Sequence, residues 1–346
     1  MAAPPDPDSP PPPHGLPATV PQLAIREHRP TDPRWRGDLL APSSHGRLVP
    51  ETGDGEEGAG ATAASAAPTA LTALTAESAD AAEPLAAALT REALGDFAPA
   101  LLLLPATERA RVRALLAYAS TLMACAGQHG MEGERLAQID RWEAGLERAL
   151  GGETRTPPIC LRMARENARR RWPADALDEL AACARRLVLR PRPATAADAE
   201  SDARSLARAA GGALLETSLN AEVSGFAGAL IRLHAVQHLG AALARGRCPL
   251  PADEGQPLEG EALGAAIRRE CARLRPWLLR APRGLVELPV AYRRAGVFAL
   301  LAALRLLADI EEAGTRLPSA PPHLPPATRI GLLFRARWFG LRFRLP

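Results

Sequence analysis

Lysine is absent from this chain of 346 residues: all 42 basic residues are arginine. A GC-rich coding sequence is the plain reason, but the gap has one chemical consequence. A phosphate-cradling loop of the GxxxxGK[ST] kind cannot exist without its lysine. Aromatic residues make up only 4% of the chain. Sheets draw on aromatic and β-branched residues, so no strand is predicted. No apolar run approaches the roughly 18 residues of a membrane-spanning helix; the longest, Ala98–Ala106, is short and carries prolines. The five cysteines, Cys125, Cys160, Cys183, Cys248 and Cys271, are odd in number and form no CxxC pair. They read as reduced thiols of a cytosolic protein rather than a disulfide framework. A net charge of +3 is too mild to mark a nucleic-acid partner, and no basic run is interleaved with base-stacking aromatics. There is no GxSxG nucleophile turn. Gly127–Gly133 has too few glycines at useful spacing, and no preceding strand, for a dinucleotide site. The first residues, MAAPPDPDSPPPPHG, hold two acids and no hydrophobic stretch, which fits neither a secretory signal nor a transit peptide.

What is present is alanine, leucine and arginine, all strong helix formers. Residues 1–85 stand apart, with a proline run (Pro10–Pro13), an acidic glycine-rich patch (Glu51–Gly60) and an Ala/Thr tract (Ala61–Ala76). Such a stretch buries too little apolar surface to offset its ordering entropy and is expected to be a disordered arm. One island in it, Gln22–Pro42 with Trp35, has enough apolar residues to dock locally. Residues 86–346 form the second unit, about 250 residues of helix. A long helix is predicted to start at Pro105-Ala-Thr107, with Thr107 as N-cap, and to run to Cys125. Val112, Leu115, Leu116, Ala119, Leu122 and Met123 form its apolar stripe. Further helices are predicted at Gly133–Leu150, Pro158–Arg171, Pro173–Leu189, Ala199–Leu219, Glu222–Arg245, Gly260–Leu279, Leu285–Ala313 and Pro326–Arg342. They are punctuated by Gly151-Gly152, Pro191, Pro193, Gly246, Pro249, Pro251, Pro282 and the proline-rich stretch Leu317–Pro326.

Several segments occur in a telling order. FAPALLLLPA (Phe97–Ala106) is followed by Arg109 and by ALLAY at Ala114–Tyr118, then Trp142, then AAGG at Ala209–Gly212. RGRCPLP follows at Arg245–Pro251, then LPVAYRRAG, a long apolar helix, a proline-rich loop and a basic end. In this order they resemble the squalene/phytoene synthase family. The resemblance implies an all-α, isoprenoid-synthase-type helical bundle around a central cavity. In that family two helices, each with a DxxxD-type motif, face one another and hold magnesium diphosphate. With Tyr118 and Gly246-Arg247 as anchors, Cys125 and His129 fall at the acid positions of the first motif, and His238 and Ala242 at those of the second. Leu122, Ile231, His234 and Gln237 replace an Arg, a Gln, an Asn and an Arg of the family pattern.

Ionising an allylic diphosphate needs Mg²⁺, which takes hard oxygen ligands. Thiol and imidazole are softer and suit other metals. The leading reading is therefore a non-catalytic family member with no cofactor, resembling the aspartate-deficient subgroup that includes the mitochondrial complex I assembly factor. Its implied partners are respiratory-complex subunits at the inner membrane. An active or divergent prenyltransferase on farnesyl or geranylgeranyl diphosphate with Mg²⁺ stays open, and so does a module that binds prenyl lipid without chemistry. Cys125 with His129, and His234 with His238, are i, i+4 pairs that could converge as four ligands of Zn²⁺; the plainer reading is loss of the acids and filling of the hollow. Arg245 and Arg247 are candidate phosphate contacts, against the reading that Arg245 caps a helix C-terminus. The terminal ATRIGLLFRARWFGLRFRLP mixes arginines with Phe334, Trp338, Phe339 and Phe343. It suits either peripheral contact at the inner face of a membrane or packing on the domain. The expected location is cytoplasmic.

Overall fold

The computed structural model describes residues 79–215, 219–252 and 259–339. The Gln22–Pro42 island and most of the proposed arm lie outside them. The element order is α1 (Ala79–Leu94), a 3₁₀ segment (Gly95–Leu103), α2 (Ala106–Gly127), α3 (Glu132–Leu150), α4 (Pro158–Arg169), α5 (Ala174–Leu189) and α6 (Ala196–Leu215). It continues with α7 (Ala221–Gln237), α8 (Leu239–Ala244), α9 (Gly260–Leu285), α10 (Val290–Ala313), a 3₁₀ turn (Gly314–Arg316) and α11 (Pro326–Phe339). No strand occurs among the described residues, and none of their helices is long and apolar enough to cross a membrane.

The helices pack around two apolar centres. One gathers Leu115, Tyr118, Leu122, Ile139, Ile159, Met163 and Leu180 from α2 to α5. The other gathers Phe226, Leu233, Ile267, Leu274, Phe298, Leu306 and Leu307 from α7, α9 and α10. Helix α6 lies between them, packed on α5 and α7. α2 is buried on most of its circumference rather than along one stripe, as befits a central helix. One of its polar members is Arg111. Its guanidinium donates to the carbonyls of Arg170 (2.5 Å), Arg171 (3.1 Å) and Ala213 (3.1 Å) and lies 3.6 Å from the Trp172 ring centroid. Those carbonyls include orphans at the end of α4, so a charge is buried without being left unpaired.

Four sequence expectations need correction. Thr107 is not the N-cap: Pro105 holds that position, with no side-chain bond. Its fixed φ sets up the first turn instead. α2 runs two residues past the expected end at Cys125, to Gly127, and His129 still falls beyond it. The helix expected over Glu222–Arg245 breaks at His238 (φ −96°, ψ 27°) into α7 and α8. The break accompanies a close approach by the proline-rich loop: a Cβ on Gly240 would strike the Pro318 carbonyl oxygen. Finally, α9 runs through Pro276 and Pro282 to Leu285. An interior proline costs about 3 kcal/mol, and here the buried face of Leu274, Leu278, Ala281 and Leu285 offsets that loss.

α7 and α9 are also joined by a buried ion pair, Arg232 to Glu270 at 2.5 Å, with Arg273 at 3.6 Å from the same carboxylate. Removing one member strands the other, which typically costs about 3–5 kcal/mol, whereas replacing both can be near neutral. Glu270→Leu is thus expected to lower unfolding free energy by about that amount in urea titration, and Arg232→Met with Glu270→Leu to recover most of it. A double variant no better than the single one would show that the pair is not the link.

Candidate functional site

Where the 3₁₀ segment, the α7–α8 break, the proline-rich loop and α11 meet, one carboxylate is fully buried. Asp96 accepts hydrogen bonds from Nε2 of Gln237 (2.8 Å) and from the backbone N–H of Leu324 (3.2 Å). Nδ1 of His323 lies 3.3 Å away, and the Arg329 guanidinium pairs with it at 2.7 Å. Burial alone would raise its pKa, but the hydrogen bonds of His323 and Gln237 and the charge of Arg329 outweigh burial and hold it below the usual carboxylate value. Gln237 also donates to the Pro322 carbonyl at 2.7 Å, so a single amide ties α7 to both the 3₁₀ segment and the loop.

Three imidazoles line up beside this carboxylate. The His234 and His238 rings meet edge to face at 4.4 Å, and His238 and His323 lie 6.2 Å apart. Burial pushes His234 down to about 3, with His238 adding to the fall and Asp96 opposing it. Burial likewise lowers His238, helped by His323 and Arg245 and opposed by Asp96. Both rings are therefore neutral bases near pH 7, and Nδ1 of His234 is buried without a hydrogen-bond partner.

The sequence-derived candidates divide. His234 and His238 are brought together, with Ala242 one turn further on, half-buried in α8. Cys125 belongs to the other apolar centre, and burial pushes its thiol up to about 11. His129 is exposed past the end of α2. The four-ligand zinc set is therefore not assembled, and no three His, Cys, Asp or Glu side chains form a metal-holding group among the described residues. Magnesium fits these positions no better. A protonated thiol, two imidazoles and a methyl group supply no carboxylate, and the neighbouring acid, Asp96, is already shared among four partners. Asp96 and His323 were missed from sequence. A usable signal was present: an acid set directly before the apolar FAPALLLL, where burial without partners would be costly.

Arg245 and Arg247 sit on a turn of defined geometry. The N–H of Arg247 donates to the Ala242 carbonyl (2.9 Å) and that of Gly246 to the Leu243 carbonyl (2.9 Å). This is a Schellman closure of α8, and Gly246 supplies the left-handed residue it needs, at φ +68°. The turn brings the Arg247 side chain back toward the body. The guanidinium of Arg247 reaches the end of α2, where a Cβ on Gly127 would lie 2.9 Å from its Nη1. Arg135 from α3 donates to the Ala126 carbonyl at the same helix end, 3.2 Å.

Residues 90–328 match the family described as Squalene/phytoene synthase. Three solved structures share the fold. A dehydrosqualene synthase in complex with ligand superposes with a TM-score of 0.63 at 13% identity, over 75% of this chain and 97% of that one. Squalene synthase HpnC from Alicyclobacillus acidocaldarius gives 0.54 at 20% identity, over 68% and 94%. YisP from Bacillus subtilis subsp. subtilis strain 168 gives 0.50 at 13% identity, over 75% and 99%. No curated protein matches in sequence.

The neutral histidines set the sign of the pH dependence. Below the ordinary value of 6.5 the unfolded chain takes up protons that the folded His234 and His238 refuse. Their contribution is complete above pH 6.5 and is lost as pH falls. Asp96, with its lowered pKa, acts in the same direction at lower pH, below its ordinary 3.8. His234, lowered to about 3, adds a slope that approaches about 1.4 kcal/mol per pH unit below pH 6.5, and His238 acts in the same direction. Urea titrations of the wild type at pH 6.5 and 5 should therefore show a marked loss of stability, and His234→Gln a smaller one. Equal slopes in the two proteins would contradict this origin.

Proposed function

This chain belongs to the squalene/phytoene synthase family, and we propose that it has left magnesium-dependent prenyl-diphosphate condensation and acts as a non-catalytic member. One observation carries the reading. The four positions that resemble the acid positions of the family hold a thiol that burial keeps protonated, an exposed imidazole, a neutral buried imidazole and a methyl group. Leaving pyrophosphate develops several negative charges, and in magnesium-dependent condensation these are met by hard cations held on oxygen donors. The charge brought to the first of these helix ends is instead positive, from Arg135 and Arg247. The setting we assign is a helper in respiratory-complex assembly, because the degraded second motif that still closes on RGRCPLP resembles the aspartate-deficient members of the family.

Attachment at a membrane belongs to the same reading. α11 turns Leu332, Leu333 and Ala336 to the core. Its outer face shows Ile330, Phe334 and Trp338, which are 54%, 71% and 80% exposed. Arg335 and Arg337 are exposed on either side of this stripe. An apolar stripe at i, i+4, i+8 between cations matches the interface of an anionic bilayer, apolar residues inward and guanidiniums at the phosphates.

Incubation with farnesyl or geranylgeranyl diphosphate and Mg²⁺ is expected to release no pyrophosphate above the protein-free rate; clear turnover would overturn the reading. In flotation with phosphatidylglycerol vesicles the protein should rise with the lipid, and Phe334→Glu with Trp338→Glu should leave it at the bottom with an unchanged thermal melt. Equal flotation of both proteins would rule out α11 as the contact.

A further inference from the structure

The outer face of α9 is strongly basic. The helix carries six arginines against two acids, Glu261 and Glu270. Glu270 is buried between Arg232 and Arg273, and Arg275 pairs with Glu311 at 2.6 Å. Glu287, just past the helix, is taken by the Asn220 amide. Arg268, Arg280 and Arg283 are exposed and make no ion pair among the described residues. Steps of three and four residues set them on one face with Ala272, Pro276 and Leu279, the last 62% exposed. The face therefore has a small apolar centre with an arginine at one end and two at the other. A proline inside a helix is costly, and the ring of Pro276 is exposed, where packing returns little of that cost. It also deprives the Ala272 carbonyl of its i+4 donor, which leaves an acceptor in the middle of the face. Arg280 is already oriented. Its guanidinium lies 4.9 Å from the Trp277 ring centroid, and that ring is fixed against Gly225 of α7 with Arg204 of α6 at 4.2 Å.

We propose that this face of α9 docks an acidic amphipathic helix of a partner protein. An apolar centre inside a polar rim is the anatomy of a protein interface, and arginine is enriched there. Charge complementarity specifies the occupant. Its carboxylates must meet Arg268 at one end and Arg280 with Arg283 at the other, about 18 Å along the helix. Between them it must present apolar residues to Ala272, Pro276 and Leu279. Arginine pairs with carboxylates through two parallel N–H donors, and a stacked Arg280 loses less freedom on binding than a mobile one. A bilayer fits this face poorly, because Leu279 is its one large apolar side chain and Trp277 is turned inward. A single-stranded nucleic acid finds no exposed ring to stack on. The surface depends neither on the loss of condensation nor on α11.

The test is fluorescence anisotropy of a labelled synthetic helix titrated with the full chain. The probe carries glutamate pairs at both ends of a leucine and alanine stripe, and a control peptide has glutamine in place of each glutamate. Saturable binding of the acidic probe is expected, with the control at least tenfold weaker. Arg268→Gln with Arg283→Gln, and separately Leu279→Glu, should each weaken binding tenfold or more. All three positions are exposed, so the thermal melts should not change. Arg165→Gln with Arg171→Gln removes the same charge from an exposed surface elsewhere and should leave affinity within twofold. No saturable binding, equal binding of the two peptides, or equal loss in the two double arginine variants would overturn the proposal. A lipid partner would show itself in flotation. If Phe334→Glu with Trp338→Glu still rises with phosphatidylglycerol vesicles, and adding Arg268→Gln with Arg283→Gln stops it, the face meets a bilayer and the proposal fails.

Discussion

One desolvated carboxylate organises the half of the molecule that holds the candidate site. Asp96 stands at the start of the 3₁₀ segment and is reached by α7 through Gln237, by the proline-rich loop through His323 and Leu324, and by α11 through Arg329. A buried carboxylate tolerates no vacancy among its partners. The four segments are therefore held in register by polar bonds where apolar packing alone would let them slide. The break between α7 and α8, the approach of Pro318 to Gly240 and the orientation of α11 all go with that junction. α11 in turn owes its exposed stripe to the same constraint: with Arg329 fixed inward, Ile330, Phe334 and Trp338 face solvent.

The chemistry of the hollow follows from what surrounds that carboxylate. Two histidines packed against each other in a dry setting stay neutral, and a buried thiol on α2 stays protonated. None of these groups can neutralise a cluster of hard cations. On the other side of the motif region the charge is positive, carried by arginines whose positions are fixed by a glycine turn. One fold can host different chemistries, and function is set by the side chains at the site.

Much of this was legible in the sequence. Alanine-rich periodicity and the order of ALLAY, AAGG and RGRCPLP were enough for the all-helical class and the family. Most helices lie within a few residues of their expected bounds, since proline and glycine end helices for local reasons. What failed was tertiary in origin. The split at His238 depends on a loop some 80 residues later in the chain, and α9 passes two prolines because its buried leucines outweigh them. The i, i+4 rule placed Cys125 and His129 on one face, but the helix ends at Gly127 and removes His129 from it. The sequence marked Asp96 only as an acid in need of partners, because those partners, Gln237, His323 and Arg329, are remote in the chain. A lone acid beside an apolar run says that partners must exist without saying which.

The neutrality of the histidine pair is the point on which the picture of the hollow turns. It can be read directly by long-range ¹H–¹⁵N correlation of the imidazole nitrogens in histidine-labelled protein, titrated from pH 7.5 to 4.5, with His234→Gln and His238→Gln supplying the assignments. The nitrogen shifts of His234 should keep their neutral pattern through the whole range, and those of His238 should move below the ordinary histidine value. Protonation of both rings near pH 6.5 in the folded protein would contradict the desolvation of this histidine pair beside Asp96.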